Sequence, residues 1–415
     1  MAEHALIIAY YFPPLGMGGV QRMAKLAKYL PQFGYDVSVL TVKPISYPAH
    51  DPTLLDELPV QVKIYRSGST DPARIAHLLR LPFRSLSQSA SAMKRQGALW
   101  PDSKTGWQRP ALRLAEKIHS QRPVDVVLSS SPPITAHLIA KKFKRKHDIP
   151  WVADFRDLWE SYAPEKLYAD QSTVEKSYNL LHEIADAADA VISVNETIGK
   201  RITEKAVSIA GGYDPDDFAM LPSTSESDKF LLCHLGTVGP LHPIEPFFEA
   251  AAIAAAKEPA FGRHLHFLMI GANDKKSIRQ AAAPFEFDEK MEFTGYLPHR
   301  EALKRAAESS ALLLSIPADY PDLLTGKIFD CLALGIPLLA SVPLAGEAAR
   351  LINSRHGGYC AAPGATVHLA DAMLALFAQW QSRQIRDKAD LIGLTRQDSV
   401  RQFAEIFDKV LHGAQ

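Results

Sequence analysis

Three segments of the chain contain residues whose types and spacing suit the binding of an anion or the stabilisation of charge that develops in a reaction. The first is the glycine-rich YYFPPLGMGGVQR, in which Gly19 directly precedes an amphipathic segment that begins near Val20. Glycine lets the backbone approach a ligand closely, and a helix N-terminus then presents free N–H groups to an anion. We therefore expect Gly19 to face a phosphate or a developing negative charge. A plain tight turn is the structural alternative.

The second segment is PWVADFRDLW, a predicted strand that ends in charged side chains. Asp154 and Arg156 follow this strand at the carboxyl edge of a parallel sheet, where open α/β proteins bind ligands. Charged groups at that edge can orient a hydroxyl or stabilise an oxocarbenium-like transition state. They can also pair with each other as a structural clamp. We expect Asp154 and Arg156 to be catalytic, and the clamp remains the alternative.

The third segment is TGKIFDCLALG, at a predicted junction between a loop and a helix. Lys327 follows Thr325 and Gly326, whose backbone amides are free at a helix start to face phosphate. Another glycine at a strand end, Gly236, is followed by Thr237 and suits backbone contacts to a diphosphate. The alternative for the third segment is an exposed i,i+3 ion pair with Asp330, worth a few tenths of a kcal/mol.

Short apolar runs alternate with longer amphipathic segments, which is typical of parallel strands joined by crossover helices. The 415 residues exceed what one core usually serves, so we expect an α/β protein with two Rossmann-like domains. Predicted boundaries are 1–210 for the first domain, 225–395 for the second and 396–415 for a final amphipathic helix. A polar, turn-rich connection is expected at 206–228. The predicted strands are Ala5–Tyr10, Asp36–Thr41, Val60–Tyr65, Val124–Ser129, Trp151–Asp154, Ala190–Val194, Phe230–Leu235, His266–Ile270, Met291–Thr294, Ala311–Ser315 and Pro337–Ala340.

The composition narrows the class of protein. Lys plus Arg and Asp plus Glu both number 46, so no overall charge favours nucleic acid as a partner. Cys233, Cys331 and Cys360 match no metal-ligand or redox spacing, and we expect packing residues in a reducing compartment. Since no apolar run approaches about twenty residues, we expect a cytoplasmic protein without a membrane-spanning helix.

Residues 66–122 form a locally basic segment, with eleven basic residues against three acidic ones. Arg74, Arg80 and Arg84 lie among apolar side chains within this segment. The pattern predicts attraction to an anionic membrane surface, and with it peripheral association on the inner face of the cell membrane. A solvated basic face or a binding site for an acidic acceptor remains the alternative.

Six segments together resemble the bacterial glycosyltransferase family 4 pattern and occur in its order along almost the whole chain. They are YYFPPLGMGGVQR, SSSPPITAHLIA, PWVADFRDLW, SIAGGYDPDDF, FTGYLPHREALKRA and TGKIFDCLALGIPLLA. The resemblance implies a GT-B architecture, in which two Rossmann-like domains face a central cleft. It also implies a nucleotide-sugar donor on the C-terminal domain, an acceptor on the N-terminal domain and a last helix that crosses back to the N-terminal domain.

The resemblance also implies roles for single residues of the C-terminal half. Backbone groups around Tyr296 and Leu297 would hold the base of the donor, and Asp330 would receive its ribose hydroxyls. Many relatives carry an arginine after the glycine that corresponds to Gly236, where this chain has a threonine. Lys327 is then the best source of the missing positive charge, because the leaving diphosphate accumulates charge as the glycosidic bond breaks.

One departure lies in the N-terminal half: Arg156 stands where many members of the family carry a histidine. The resemblance implies neither an obligatory metal nor a cofactor, and a nucleotide-diphosphate sugar would serve as co-substrate. We expect a retaining glycosyltransferase that acts on a glycan or lipid-linked acceptor in bacterial envelope or exopolysaccharide biosynthesis. The alternatives are a nucleotide-sugar 2-epimerase and a non-catalytic GT-B scaffold that binds a nucleotide sugar.

Overall fold

The computed structural model describes residues 2–81, 99–159, 163–219, 221, 227–272, 274–383 and 388–413. The chain forms two compact units, each built on its own parallel β-sheet. The first unit contains Met1–Gly211 together with Arg396–Gln415, and the second contains Gly212–Thr395.

The sheet of the N-terminal unit has seven strands in the order β3-β2-β1-β4-β5-β6-β7. All neighbouring strands run parallel. The order reverses between β1 and β4, and α/β proteins bind ligands beyond the carboxyl ends of strands at such a switch point. The strands are β1 (Glu3–Ile8), β2 (Tyr35–Val42), β3 (Lys63–Ser67), β4 (Val126–Ser131), β5 (Trp151–Phe155), β6 (Ala190–Ser193) and β7 (Val207–Ser208).

Helices cover both faces of this sheet, which explains why its central strands are near-continuous apolar runs. They are α1 (Gly18–Tyr29), α2 (Thr53–Asp56), α3 (Pro72–Leu78), α4 (Gln108–Gln121), α5 (Thr135–His147), α6 (Pro164–Leu167), α7 (Gln171–Ala187), α8 (Glu196–Ile202) and α16 (Arg396–His412). The last helix buries Phe403 and Phe407 in one core with Met23 and Leu26 of α1. The predicted return of the C-terminal helix to the N-terminal unit is therefore confirmed.

The C-terminal unit contains a six-stranded parallel sheet in the order β10-β9-β8-β11-β12-β13, which reverses between β8 and β11. Its strands are β8 (Phe230–Leu235), β9 (Leu265–Ile270), β10 (Met291–Gly295), β11 (Ala311–Ser315), β12 (Leu338–Ser341) and β13 (Gly358–Ala361). Its helices are α9 (Glu245–Lys257), α10 (Pro259–His264), α11 (Lys275–Ala282), α12 (His299–Ala306), α13 (Lys327–Ala333), α14 (Glu347–Ser354) and α15 (Thr366–Gln381).

The predicted α/β class with two Rossmann-like sheets is confirmed, and most strand predictions lie within two or three residues of the observed bounds. The third strand begins at Lys63 and not at Val60, whose side chain is fully exposed. Two edge strands were missed, β7 and β13. The first of them lies inside the segment expected to be a connection at 206–228, and both are too short to give a strand pattern.

Candidate active site

The glycine-rich loop follows β1, directly at the switch point of the N-terminal sheet. Helix α1 begins at Gly18 and carries no acidic residue in its first turn. Its N-cap is Met17, which has a positive φ of 73° and makes no side-chain capping bond. Gly18 and Gly19 are exposed, so the backbone at the start of the helix is accessible to a ligand.

Arg156 directly follows β5, the strand that contains Asp154, and holds this loop through backbone carbonyl groups. Its Nε and Nη2 atoms donate to the carbonyl oxygens of Ser131 and Pro132 at 3.1 and 3.0 Å, and Nη1 donates to the carbonyl oxygen of Gly19. A Cβ atom at Gly19 would lie 3.2 Å from Nη1. The loop and the arginine therefore depend on each other for their positions.

Replacing Gly19 with valine should abolish the sugar transfer that the sequence resemblance implies, while the melting temperature stays within a few degrees of the wild-type value. The branched side chain would displace the guanidinium of Arg156 and cover the accessible backbone. Gly18→Val is the matched control for helix propensity, because a Cβ there meets nothing within 4 Å. Activity assays and thermal melts of both variants test this, and a fully active Gly19→Val enzyme would place the loop away from the reacting groups.

Asp154 takes part in a buried ion pair that joins β5 to α1. Its Oδ1 atom lies 2.8 Å from Nη2 of Arg22, and the side chains are 0% and 8% exposed. The other carboxylate oxygen accepts a hydrogen bond from Ser130 Oγ at 2.8 Å. This geometry favours a clamp, although the partner is Arg22 and not Arg156. The clamp positions Arg156 and the glycine loop through the two elements that it joins.

Arg22 also contacts the two segments at which the chain leaves the N-terminal unit, after Gly211, and returns to it, at Arg396. Arg22 Nη1 donates to the carbonyl oxygen of Ala210 at 3.3 Å, and its guanidinium lies 5.0 Å from the ring centre of Phe403 in α16. Ser399 Oγ also donates to the carbonyl oxygen of Ala210, at 3.1 Å. One buried ion pair thus holds together α1, β5, the exit of the chain and its return.

In the C-terminal unit, Gly236 follows β8 at the corresponding switch point. Its N–H group donates to the carbonyl oxygen of Ile270 at 2.7 Å, and its φ of 105° favours glycine. A Cβ atom at this position would lie 2.7 Å from Cε and 2.8 Å from Nζ of Lys327. The absence of a side chain at Gly236 therefore leaves room for the lysine at the carboxyl edge of the sheet.

The ammonium group of Lys327 is buried and has no hydrogen-bond partner within the part of the chain that the structure describes. Burial lowers the pKa of Lys327 from 10.5 to about 8, because the charged form loses its hydration. The described residues contain no ion pair between Lys327 and Asp330, which argues against the exposed i,i+3 pair. A buried cation without a counter-charge is unfavourable, and anion binding would relieve that cost.

Two histidines lie beside Lys327 and remain neutral near pH 7. Burial, assisted by the charge of Lys327, lowers the pKa of His242 to about 4 and that of His234 well below its usual value. His242 Nδ1 lies 3.0 Å from the carbonyl oxygen of Ser315, and His234 Nε2 lies 3.2 Å from that of Thr237. Because a carbonyl oxygen only accepts, each of these nitrogens must carry the proton. Neither ring therefore supplies a positive charge.

Asp330 lies on the first turn of α13, and its side chain is 14% exposed. Its Oδ2 atom is 3.8 Å from Nε2 of His299, and the same ring nitrogen is 3.5 Å from Oδ2 of Asp217. Arg300 Nε donates to the other oxygen of Asp217 at 3.0 Å. Asp330 thus belongs to a polar cluster with the start of α12, where its carboxylate stays partly accessible.

The remaining predicted donor residues lie on the loops around this edge. Thr325 Oγ1 accepts a hydrogen bond from the amide of Lys327 at 3.1 Å, and Gly326 is exposed. Tyr296 follows β10 and is 40% exposed, and Leu297 beside it is half-buried. These residues belong to loops at the carboxyl ends of the strands, as Gly236 and Thr237 do.

The predicted basic surface lies elsewhere in the N-terminal unit. Arg74 is on α3 and donates through Nη1 to the carbonyl oxygen of Pro44. Arg80 follows the helix with a left-handed backbone, and Arg84 lies outside the described residues. Sequence reasoning missed Arg22 as a residue of the site, because no local motif marks it.

Comparison with known proteins places these features in a family. Residues 17–210 match the family model described as glycosyl transferase 4-like domain, and residues 230–379 match glycosyl transferases group 1. With the two parallel Rossmann-like sheets, these matches define a GT-B glycosyltransferase. The chain belongs to the glycosyltransferases that combine a 4-like domain with a group 1 domain, which confirms the resemblance found in the sequence. Among curated proteins, none matches the chain significantly.

Solved structures of GT-B glycosyltransferases share the fold at low sequence identity. Anabaena HepE in complex with UDP and glucose is 15% identical with a TM-score of 0.61, over 99% of this chain and 96% of that chain. Sucrose-phosphate synthase from Thermosynechococcus elongatus is 13% identical with a TM-score of 0.65, over 99% and 100%. WaaG, a glycosyltransferase involved in lipopolysaccharide biosynthesis, is 12% identical with a TM-score of 0.63, over 97% and 99%.

Proposed function

We propose that this glycosyltransferase binds a nucleoside diphosphate sugar at the carboxyl edge of its C-terminal sheet and transfers the sugar to an acceptor bound by the N-terminal unit. The buried, unpartnered ammonium group of Lys327 is the observation that carries this proposal. A desolvated cation attracts an anion more strongly than a hydrated one, because little water has to be displaced from it. A diphosphate is the anion that a sugar donor supplies.

The other donor contacts follow from the loops around Lys327. Backbone groups of Gly236, Thr237, Thr325 and Gly326 would contact the diphosphate, since they lie at the ends of β8 and at the start of α13. Asp330 would accept hydrogen bonds from the ribose. Tyr296 and Leu297 would hold the base at the end of β10.

The chemical role of Lys327 is to stabilise the leaving group. Negative charge on the diphosphate grows as the bond to the sugar breaks, so the ammonium group interacts more strongly with the transition state than with the bound donor. We propose retention of the anomeric configuration and a reaction that needs no metal ion, with the lysine as the counter-charge. NMR of the anomeric proton in the product and an assay in EDTA test these two points.

Arg156, which follows β5 and bonds to the glycine-rich loop, would contact the reacting groups, and Asp154 would position that arginine. Asp154 is 0% exposed and both its oxygens are engaged, so its role is indirect. The two residues would therefore have different roles, whereas the sequence analysis expected both to be catalytic. Three carbonyl groups hold Arg156, while its guanidinium stays partly exposed next to the accessible backbone of Gly19.

A thermal-shift panel of nucleotides and nucleotide sugars identifies the donor most directly. A ligand at 100 times its dissociation constant stabilises a protein by about 2.7 kcal/mol. The panel begins with UDP and UDP-glucose, which HepE structures contain. We expect one nucleoside diphosphate and its sugar to stabilise the protein. Incubation with that donor alone then separates transfer from epimerisation, because an epimerase needs no acceptor.

We propose that the acceptor is a glycan or a lipid-linked glycan of a bacterial envelope or exopolysaccharide pathway. The protein would act in the cytoplasm on the inner face of the membrane. Ile75, Leu78, Leu79 and Leu81 on and beside α3 are 45%, 62%, 63% and 45% exposed. Arg74 and Arg80 flank them, and this combination suits an anionic lipid surface. No helix in the described ranges is long and apolar enough to span a membrane.

Liposome flotation tests this surface. The wild-type protein should float with vesicles that contain anionic lipid and stay behind with neutral vesicles, since each basic residue near an anionic surface contributes about 1 kcal/mol. The double variant Leu78→Gln, Leu79→Gln should lose most of this binding. The matched control is Val367→Gln, Ile392→Gln, which changes exposed apolar residues of the C-terminal unit. Equal binding to both vesicle types, or none to either, contradicts the proposal.

A further inference from the structure

His242 lies at the switch point of the C-terminal sheet, where the strand order reverses between β8 and β11. It ends a tight turn after β8, in which its amide donates to the carbonyl oxygen of Gly239 at 2.8 Å. Its Nδ1 atom lies 3.0 Å from the carbonyl oxygen of Ser315, the last residue of β11. Because β8 and β11 are neighbours in the sheet, the imidazole connects the carboxyl ends of both strands. Ligands of α/β proteins bind beyond strand ends at such a switch point.

The second ring nitrogen of His242, Nε2, is a hydrogen-bond acceptor. Nδ1 carries the single proton of the ring, because the carbonyl oxygen of Ser315 only accepts. A second proton would place a cation beside the buried ammonium group of Lys327. Burial together with the charge of Lys327 accordingly lowers the pKa of His242 to about 4. Nε2 therefore presents a lone pair at neutral pH.

Several polar atoms at these strand ends have unused hydrogen-bonding capacity. Nε2 of His242 has no hydrogen-bond partner within the described residues, and it is not one of the unpartnered polar atoms that are buried, so it is accessible. Three neighbouring polar atoms are buried and have no partner in the same ranges: Lys327 Nζ, Ser315 Oγ and His234 Nδ1. Unpaired buried polar atoms are rare in folded proteins, because each of them costs free energy. Their position around one switch point indicates a site that a ligand completes.

The ammonium group and the accepting nitrogen favour different parts of a nucleotide sugar. An ionised diphosphate only accepts hydrogen bonds, so its oxygens are attracted to Lys327 and repelled by the lone pair of Nε2. A hydroxyl group can donate to Nε2. The diphosphate connects two groups that carry hydroxyls, the ribose and the transferred sugar, and Asp330 is the acceptor proposed for the ribose. The transferred sugar is therefore the part of the donor that suits His242.

We infer that His242 selects the donor sugar by accepting a hydrogen bond at Nε2 from a hydroxyl group of the transferred sugar. This inference rests on the proposed function, because it takes the carboxyl edge of the C-terminal sheet as the donor site. It goes further by adding a specificity-determining residue and by restricting the donor to sugars with a hydroxyl group at the position that faces Nε2. A sugar that lacks this hydroxyl group would leave the nitrogen unpaired, and such mismatches strongly disfavour a substrate.

Calorimetry on the full-length protein tests the inference by comparing each nucleoside diphosphate with its nucleotide sugar. The titrants are UDP, GDP, ADP and dTDP, followed by UDP-glucose, UDP-galactose, UDP-N-acetylglucosamine, GDP-mannose, ADP-glucose and dTDP-glucose. His242→Asn keeps an N–H donor in the place of Nδ1, so the bond to Ser315 is retained, but it has no atom in the place of Nε2. In this variant the tightest nucleotide sugar should lose about tenfold in affinity, while its diphosphate alone changes less than about twofold.

His264→Asn is the matched control for this substitution. His264 belongs to the same unit, and its Nδ1 atom also bonds to a backbone carbonyl group, that of Asp228 at 2.8 Å. It precedes β9 at the amino edge of the sheet, away from the switch point. The control variant should leave the affinities for both the diphosphate and the nucleotide sugar within about twofold of the wild-type values.

Donor analogues in which one sugar hydroxyl at a time is replaced by hydrogen locate the contact without relying on a variant that could be unstable. One analogue should bind the wild-type protein about tenfold more weakly than the complete nucleotide sugar. The same analogue and the complete nucleotide sugar should bind His242→Asn with nearly equal affinity, because the two changes remove one shared hydrogen bond. Losses that multiply for every analogue would show that no sugar hydroxyl group bonds to His242.

The outcomes distinguish this inference from the proposed function. Equal weakening of the diphosphate and the nucleotide sugar by His242→Asn would assign the ring to the diphosphate or to the turn, and would overturn the inference. Unchanged affinity for both ligands, or binding of the diphosphate without binding of any nucleotide sugar, would overturn it as well. In each of these cases the diphosphate still binds, so the diphosphate site at Lys327 stands. If no nucleoside diphosphate binds the wild-type protein, the proposed function fails and the inference fails with it.

Discussion

Replacing Lys327 with methionine should lower the turnover number about a hundredfold and should stabilise the free protein. A loss of about 3 kcal/mol of leaving-group stabilisation corresponds to this factor. The free protein should gain stability because the lysine is buried without a partner, and the fall of its pKa from 10.5 to about 8 corresponds to roughly 3 kcal/mol at neutral pH. Steady-state kinetics and thermal melts measure both effects.

Asp330→Ala gives the comparison within the same helix. This variant should chiefly raise the Michaelis constant for the donor, because the ribose contact is the same in the bound donor and in the transition state. The two variants should therefore differ kinetically. If both lose stability and keep wild-type kinetics, the two residues have a structural role only, and the counter-charge of the diphosphate lies elsewhere.

Replacing Asp154 with alanine should destabilise the N-terminal unit by about 3–5 kcal/mol, because it leaves the buried guanidinium of Arg22 without its partner. For a unit of this size the change corresponds to a fall of roughly 10 °C in melting temperature. Thermal melts followed by tryptophan fluorescence report on this unit, whose core contains Trp107, Trp151 and Trp159.

Two controls separate the clamp from direct catalysis. Asp36→Ala breaks the exposed ion pair with Arg122, which should cost less than about 1 kcal/mol. The double variant Arg22→Met, Asp154→Leu removes both charges and should recover much of the lost stability. If Asp154→Ala instead melts like the wild-type protein but is inactive, Asp154 acts on the substrate.

The fold was largely predictable because its signal is carried by many residues at once. Central strands such as β1 and β11 contain continuous apolar runs, and helices such as α16 repeat their apolar positions at helical spacing. The edge strand β7 consists of two exposed residues and is defined by its backbone pairing with β6. Such pairing does not require particular side chains, so the sequence of β7 shows no strand pattern.

The candidate site was predictable only for residues whose position follows from the order of strands and helices along the chain. Gly19 and Gly236 follow the first strand of each sheet, so their place at the carboxyl edges follows from the order of the elements. The partner of Asp154 was not predictable, because Arg22 lies 132 residues away in sequence. The burial of the Lys327 ammonium group likewise depends on its packing over Gly236. These two residues lie in different segments of the sequence, so no local motif predicts their contact.

The groups that face Lys327 make its ionisation a direct test of the donor site. His234 and His242 are already uncharged at neutral pH, and burial raises the pKa of Cys331 far above its usual range. Lys327 is therefore the group of this cluster that titrates near pH 8. The terminal phosphate of a nucleoside diphosphate loses its last proton near pH 6, so it stays fully charged above neutral pH.

The most direct measurement of the central claim is the affinity for the donor's nucleoside diphosphate, determined by calorimetry between about pH 7 and pH 9 in the wild-type protein and in Lys327→Met. Because the free lysine, with a pKa of about 8, must be protonated to bind the anion, wild-type affinity should fall about tenfold across this range. The variant should bind weakly and without this dependence. Equal affinities of the two proteins at every pH would contradict the assignment of Lys327 to the donor diphosphate.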